Sequence, residues 1–150
     1  MMATAMPYDD LIMEHIRNAR NYRALDDASH RADGSNPLCG DELTVYLKIE
    51  RERISDVAFQ CMCCGITMAS ASIMTESVMG KPAADARILL RTFVAALNDR
   101  ADRVSRDADP VLRAILATVR ELPVRASCAA LPWVTLEAAL DNRQDVVFVR

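Results

Sequence analysis

Long apolar runs are missing from this sequence: none approaches the roughly 20 residues that a bilayer-crossing helix needs. The start, MMATAMPYDDLIMEH, is acidic where a secretory signal would be basic, so the expectation is a cytoplasmic protein. An excess of positive charge is missing as well. With 18 Lys and Arg against 21 Asp and Glu the formal net charge is -3, which gives no electrostatic reason to expect a nucleic acid or an anionic membrane as partner. Neither an internal repeat, a low-complexity tract nor a long linker breaks the chain. Its 150 residues are therefore read as one domain, long enough for one hydrophobic core and short for two. No familiar catalytic motif is present, and no compact C-x2-C pair recurs at zinc-finger spacing.

What is present is a globular composition, 51% hydrophobic and 26% charged, with five cysteines. Five is an odd number, and in a reducing compartment scattered thiols read as ligands or nucleophiles rather than as a disulfide framework. Most of them stand in two stretches, CGDELTVYLKIE from Cys39 and FQCMCCGITMASAS from Phe59.

Apolar spacing places the elements. Residues 8–18 carry Leu11, Ile12, His15 and Ile16 at helical spacing, followed by a polar loop to residue 36 with room for an edge strand. Leu43, Val45, Leu47 and Ile49 alternate with Thr44, Tyr46 and Lys48, the period of a half-buried strand. A charged turn then leads to a second strand over 54–60, so the two form an antiparallel hairpin. After Gly65 the small and apolar residues fall at helical spacing up to Gly80, a C-terminal cap. A helix over 84–104 presents Leu89 or Leu90, Phe93, Leu97, Ala101 and Val104. Asp109 and Pro110 cap and open the next, which carries Val111, Leu112, Ile115, Leu116 and Val119, and the two are expected to form a helical hairpin. Pro123 breaks the pattern. A last helix is predicted over 131–140, with Pro132 in its first turn. The fold class is α+β: a small antiparallel sheet of about three strands with several helices packed on it.

Four potential ligands stand at the ends of these elements: Cys39 and Asp41 before the hairpin, Cys64 and Cys128 at the starts of helices. A helix N-terminus favours thiolate over thiol, so Cys64 and Cys128 are placed to be anionic. Three thiolates and a carboxylate make a tetrahedral set that suits zinc, while iron-sulfur clusters also take thiolates. Cys64 and Cys128 stand 64 positions apart, a separation that cannot be called a site without a fold.

NPLCGDELTVYLKIE, FQCMCCGITMASASIMTESVMGK and ELPVRASCAALPWVTLEAAL resemble, in order, the three signature blocks of the SufU branch of the NifU N-terminal/IscU family of iron-sulfur cluster assembly proteins. HIRNARN resembles that family's early helix-end motif, with Ala19 where proline is frequent. The resemblance implies a metal site at Cys39, Asp41, Cys64 and Cys128, and an inserted helical stretch between Gly80 and Val119 of the kind that separates SufU from IscU. Ser127 stands where IscU proteins usually carry a histidine ligand, which also points to SufU. The implied chemistry is that of a zinc-bound sulfur acceptor serving a SufS-type cysteine desulfurase, with downstream iron-sulfur assembly proteins as further partners. Cys39, on a loop, is the expected mobile ligand and sulfur acceptor; Arg125 resembles a position linked to desulfurase docking. The alternatives are a scaffold on which an iron-sulfur cluster forms, and a zinc-stabilised interaction module without catalysis.

Other residues have plainer readings. Cys61 and Cys63 exceed the family's usual three cysteines and could be a relay, an alternative ligand or an oxidation liability. Strand parity makes Cys61 a core or edge residue as readily as a functional one, and neighbours such as Cys63 and Cys64 seldom both reach one metal. His15, on an apolar helix face, reads as structural before it reads as a ligand. His30 reads as a loop residue, and the methionines at 62, 68, 74 and 79 as packing. The pairs Asp9-Asp10 and Asp26-Asp27 read as caps and solvated loop charges.

Overall fold

The computed structural model describes residues 10–98 and 110–149. The alternating stretch becomes β2 (Asp41–Glu50), paired antiparallel with β3 (Arg53–Met62). The turn between them holds Arg51 and Glu52 at positive φ, 52° and 64°, the backbone twist that suits a tight hairpin. On its other side β2 pairs antiparallel with β1 (His30–Asn36), from Asn36 opposite Asp41 to His30 opposite Leu47. A two-residue β4 (Val147–Phe148) adds parallel to β1, so the order is β3-β2-β1-β4 and the sheet is mixed.

β1 is an inner strand where the polar composition suggested a loop or an edge, and His30 is its first residue rather than a loop residue. Its inward positions are Ala32, Gly34 and Asn36, too small or too polar to show apolar alternation. Smallness is what this position requires, because a Cβ on Gly34 would collide with the Thr135 hydroxyl of the helix packed above.

The helices are α1 (Asp10–Arg17), α2 (Gly65–Val78), α3 (Ala83–Asn98), α4 (Pro110–Glu121) and α5 (Ala126–Leu140), with a 3-10 turn at Pro123–Arg125. α5 lies across β1 and β2, and α2 packs against α5 and α1. Small residues on α2 let the two helices approach. Ser70 accepts the indole N–H of Trp133 at 3.0 Å and donates to the Ala129 carbonyl at 2.7 Å, so a fully buried tryptophan keeps its polar atom satisfied. Phe93 of α3 stacks at 4.6 Å on the same indole, and α3 rests mainly on α5, with a smaller contact to α4. Gly80 follows the end of α2 with φ 81°, the left-handed conformation that glycine adopts without steric cost.

α5 begins at Ala126, five residues before the expected start, and Pro132 lies inside it. The N–H that proline lacks would have reached the Cys128 carbonyl; the Thr67 hydroxyl, sharing its one proton with Asp41 Oδ2 at 2.7 Å, reaches that oxygen instead, at 3.2 Å. With its orphaned carbonyl satisfied from a neighbouring helix, α5 continues through the proline. Asp9, Ala101, Val104 and the cap at Asp109 lie outside the described residues. Among the described residues no helix is long and apolar enough to cross a membrane.

Candidate metal centre

The end of β1 builds the first half of the site. Asn36 is fully buried, and its carbonyl accepts the N–H groups of Cys39 and Gly40 at 3.3 and 2.8 Å. Its side-chain oxygen accepts the Leu38 N–H at 3.2 Å, while its amide donates to Ser127 Oγ at 3.1 Å. Gly40 turns the chain at φ 75°. Cys39 thereby sits at the tip of a stiffened, exposed turn, and Asp41 opens β2 with only 4% of its surface exposed.

The second half comes from two helix starts. Cys64 is the N-cap residue of α2; its N–H donates to Asp41 Oδ1 at 3.1 Å, and its sulfur lies 3.3 Å from Thr67 Oγ1. Thr67 donates to Asp41 Oδ2 at 2.7 Å. Both carboxylate oxygens are thus held by donors that would leave if the loop and the helix separated. Cys128, in the first turn of α5 and 2% exposed, places its sulfur 3.6 Å from that of Cys39. Arg125 Nη1 lies 4.0 Å from the same Cys128 sulfur.

Ligand atoms of Cys39, Asp41 and Cys128 all fall within 4.8 Å of one another. Cys64 stands beside this group of three, tied to it through Asp41 and Thr67. Its thiol is pushed down, chiefly by hydrogen bonding from the Cys128 thiol against the opposing effect of burial, and further by Thr67. Cys128 is pushed up, first by holding its proton toward Cys64 and then by burial; Cys39 is pushed up mainly by burial. Of the two sulfurs expected to be anionic at helix starts, Cys64 is shifted toward thiolate and Cys128 away from it, because closely spaced thiolates repel unless a cation stands among them.

The donor set suits such a cation. Two sulfurs each about 2.3 Å from a tetrahedral zinc stand roughly 3.8 Å apart, and those of Cys39 and Cys128 are separated by 3.6 Å. Cys39, Asp41 and Cys128 form the group that could hold it, with Cys64 beside them as the candidate fourth ligand. His15 is not part of this group: it is buried, hydrogen-bonded to Ser72 at 2.7 Å and 3.6 Å from Glu76. Cys61 and Cys63 form a disulfide with each other, a pairing that the reading of the cysteines as ligands or nucleophiles does not include, although an oxidation liability is among the expectations for these two.

Asn36 and Thr67 organise the site and were missed in the sequence. Thr67 stands three residues after Cys64 at a helix start, a position where a hydroxyl commonly meets exposed N–H groups and sulfur; Asn36 precedes Pro37 and offered only a turn signal.

Residues 7–145 match the family model described as the NifU-like N terminal domain. The chain is 31% identical over 144 residues to the iron-sulfur cluster assembly scaffold protein IscU of Thermotoga maritima, spanning 93% of this chain and 96% of that one. It is 34% identical over 137 residues to the zinc-dependent sulfurtransferase SufU of Bacillus subtilis, spanning 91% of each. A crystal structure from Fervidobacterium islandicum, described as an iron-sulfur cluster assembly scaffold for the SUF system, superposes with a TM-score of 0.80 at 28% identity, covering 92% of this chain and 99% of that one. With its fold, its gathered cysteines and a match along nearly its whole length, the chain belongs to the NifU-like N-terminal domain family of iron-sulfur cluster assembly proteins.

Proposed function

We propose that this protein is a SufU-type sulfur acceptor that takes persulfide sulfur from a cysteine desulfurase for iron-sulfur cluster assembly. The observation that carries this reading is the asymmetry of the cluster. Asp41 and Cys128 are buried and Cys64 caps a helix, whereas Cys39 sits on an exposed turn. Of the three free cysteines Cys39 alone is exposed, so it is the one best placed to meet a partner's persulfide. Zinc, when bound, would keep its cysteine ligands deprotonated and protected from oxidation.

In the transfer itself the Cys39 sulfur attacks the outer sulfur of the donor persulfide. The donor S–S bond breaks, the donor cysteine leaves as thiolate, and Cys39 retains the sulfur as its own persulfide. Arg125 is the proposed docking residue: it stands beside Cys128, and Val124, next to it in the chain, and Leu38, next to Cys39, are 79% and 84% exposed. Support for the SufU branch comes from the relative named as a zinc-dependent sulfurtransferase, from Ser127 in place of a histidine, and from α3 and α4.

The test counts zinc and iron in the purified protein and measures desulfurase turnover with Cys39→Ala. About one zinc per chain, lost in Cys64→Ser, together with abolished stimulation by Cys39→Ala, supports the proposal. Full stimulation by Cys39→Ala rejects that assignment. The second reading, a scaffold for the cluster itself, is favoured by the relative named as a scaffold; iron with acid-labile sulfide in place of zinc would establish it. A purely structural zinc module is excluded by a persulfide on any cysteine after incubation with desulfurase.

A further inference from the structure

Beside the site lies a pair of sulfurs that acceptor chemistry does not use. Cys61 ends β3 together with Met62, and Cys63 is covalently next to Cys64; the two are joined as a disulfide with Cα atoms 5.6 Å apart. Both are partly exposed. The β2–β3 register pairs Glu42 with Met62, so the next step along the two strands carries Cys63 toward Asp41. The Cys63–Cys64 peptide confirms that approach, its nitrogen donating to Asp41 Oδ1 at 3.1 Å. Asp41 in turn lies within 4.8 Å of the Cys39 and Cys128 sulfurs.

A cross-link that spans one intervening residue removes little freedom from the unfolded chain, so it adds little to stability. The backbone at Cys61 is already fixed by other means: Tyr22 donates its hydroxyl to the Cys61 carbonyl at 2.9 Å and accepts the Cys61 N–H at 3.3 Å. The strand end is therefore held whether the sulfurs are joined or apart. A pair that can open and close without disturbing the fold, beside a site that receives sulfur, is suited to exchange chemistry.

We propose that Cys61 and Cys63 act as a dithiol that reduces the sulfur delivered to this site and releases it as sulfide. The proposal rests on the sulfur-acceptor reading above. In its reduced form, the Cys63 thiolate attacks the outer sulfur of the Cys39 persulfide, restoring the Cys39 thiolate and forming a persulfide on Cys63. The Cys61 thiolate then attacks the inner sulfur of that persulfide; the Cys61–Cys63 disulfide forms and hydrosulfide leaves. The two electrons that convert sulfane sulfur to sulfide come from the two thiols, and the disulfide is the oxidised product. A dithiol reductant resets the pair for another turn.

The experiment uses the full-length, zinc-loaded protein with the pair reduced and the reductant removed. It is mixed with a cysteine desulfurase loaded with persulfide and freed of cysteine. Sulfide is trapped with a bimane reagent, and peptide mass spectrometry locates persulfide and disulfide. The expected result is about one sulfide per chain, matched by one Cys61–Cys63 disulfide. The variant Cys61→Ser/Cys63→Ser should release none and retain the sulfur on Cys39, and Cys61→Ser alone should stall with persulfide on Cys63. Zinc content and far-ultraviolet circular dichroism establish that the variants are folded. Wild-type protein that keeps its persulfide while the pair stays reduced overturns the proposal, as does equal sulfide release from the double variant. Absence of sulfur uptake by every form overturns the acceptor reading instead, and this inference with it.

Discussion

Thr67 shows how one hydroxyl can serve two structures. It donates to Asp41 at 2.7 Å and contacts the Cys128 carbonyl at 3.2 Å, joining the carboxylate of the site to the helix that carries its buried cysteine. Thr67→Val keeps the shape and removes the donor, and it should lower the unfolding free energy by about 1–3 kcal/mol in urea titrations. A second residue, His15, gives the fold a pH dependence. Its pKa is lowered mainly by burial and by Arg20, against the opposing pull of Glu76 and Glu14. Below the unfolded value of about 6.5 the unfolded chain binds the proton more readily, so this contribution to stability is present above that pH and is lost as pH falls toward the folded value. The stability gap between wild type and His15→Gln should therefore shrink between about pH 7.5 and pH 5.5, with other titrating groups cancelling in the comparison.

At the scale of elements, the contact between β1 and α5 sets the distance between sheet and helix. Gly34 faces Thr135 and Leu131 with no room for a methyl group. Gly34→Ala should cost about 1–3 kcal/mol through forced displacement of α5, readable as a lower urea midpoint at unchanged slope. Pro132 and Thr67 form a second coupled feature, because the proline leaves open the carbonyl that the threonine satisfies. In a double-mutant cycle, Pro132→Ala should offset part of the loss in Thr67→Val, with a coupling energy of about 1 kcal/mol, since alanine restores the missing N–H within α5 while the bond to Asp41 stays lost. Additive losses would show that the Thr67–Cys128 hydrogen bond does not compensate for the proline.

For the whole molecule, the proposed zinc would tie together the β1–β2 turn, the start of α2 and the start of α5, elements that otherwise meet through Asp41, Thr67 and Asn36. An ion that binds the native state and not the unfolded one stabilises the native state by mass action. Removal of zinc by a chelator should lower Tm by roughly 10 °C in scanning calorimetry, and Cys64→Ser should melt near the chelated wild type with little further response to chelator. An unchanged Tm on zinc removal would show that the fold closes the site without metal.

From the sequence by itself followed the β2–β3 hairpin, the small-residue helix α2 and the faces of α4, because alternation and helical spacing are local properties of the chain. It also supplied the ligand types and the family resemblance. The tertiary structure decided that HRADGSN is an inner strand, since its inward residues are small to admit α5 and leave no apolar period. It decided that α5 runs through Pro132, since the compensating hydroxyl comes from a residue 61 positions away. It decided too that Cys39, Asp41 and Cys128 meet within 4.8 Å while Cys61 and Cys63 join each other. The partners of Asn36 and Thr67 lie up to 91 residues distant along the chain, and a polar residue's role is set by what it hydrogen-bonds, which only the packed chain brings within reach.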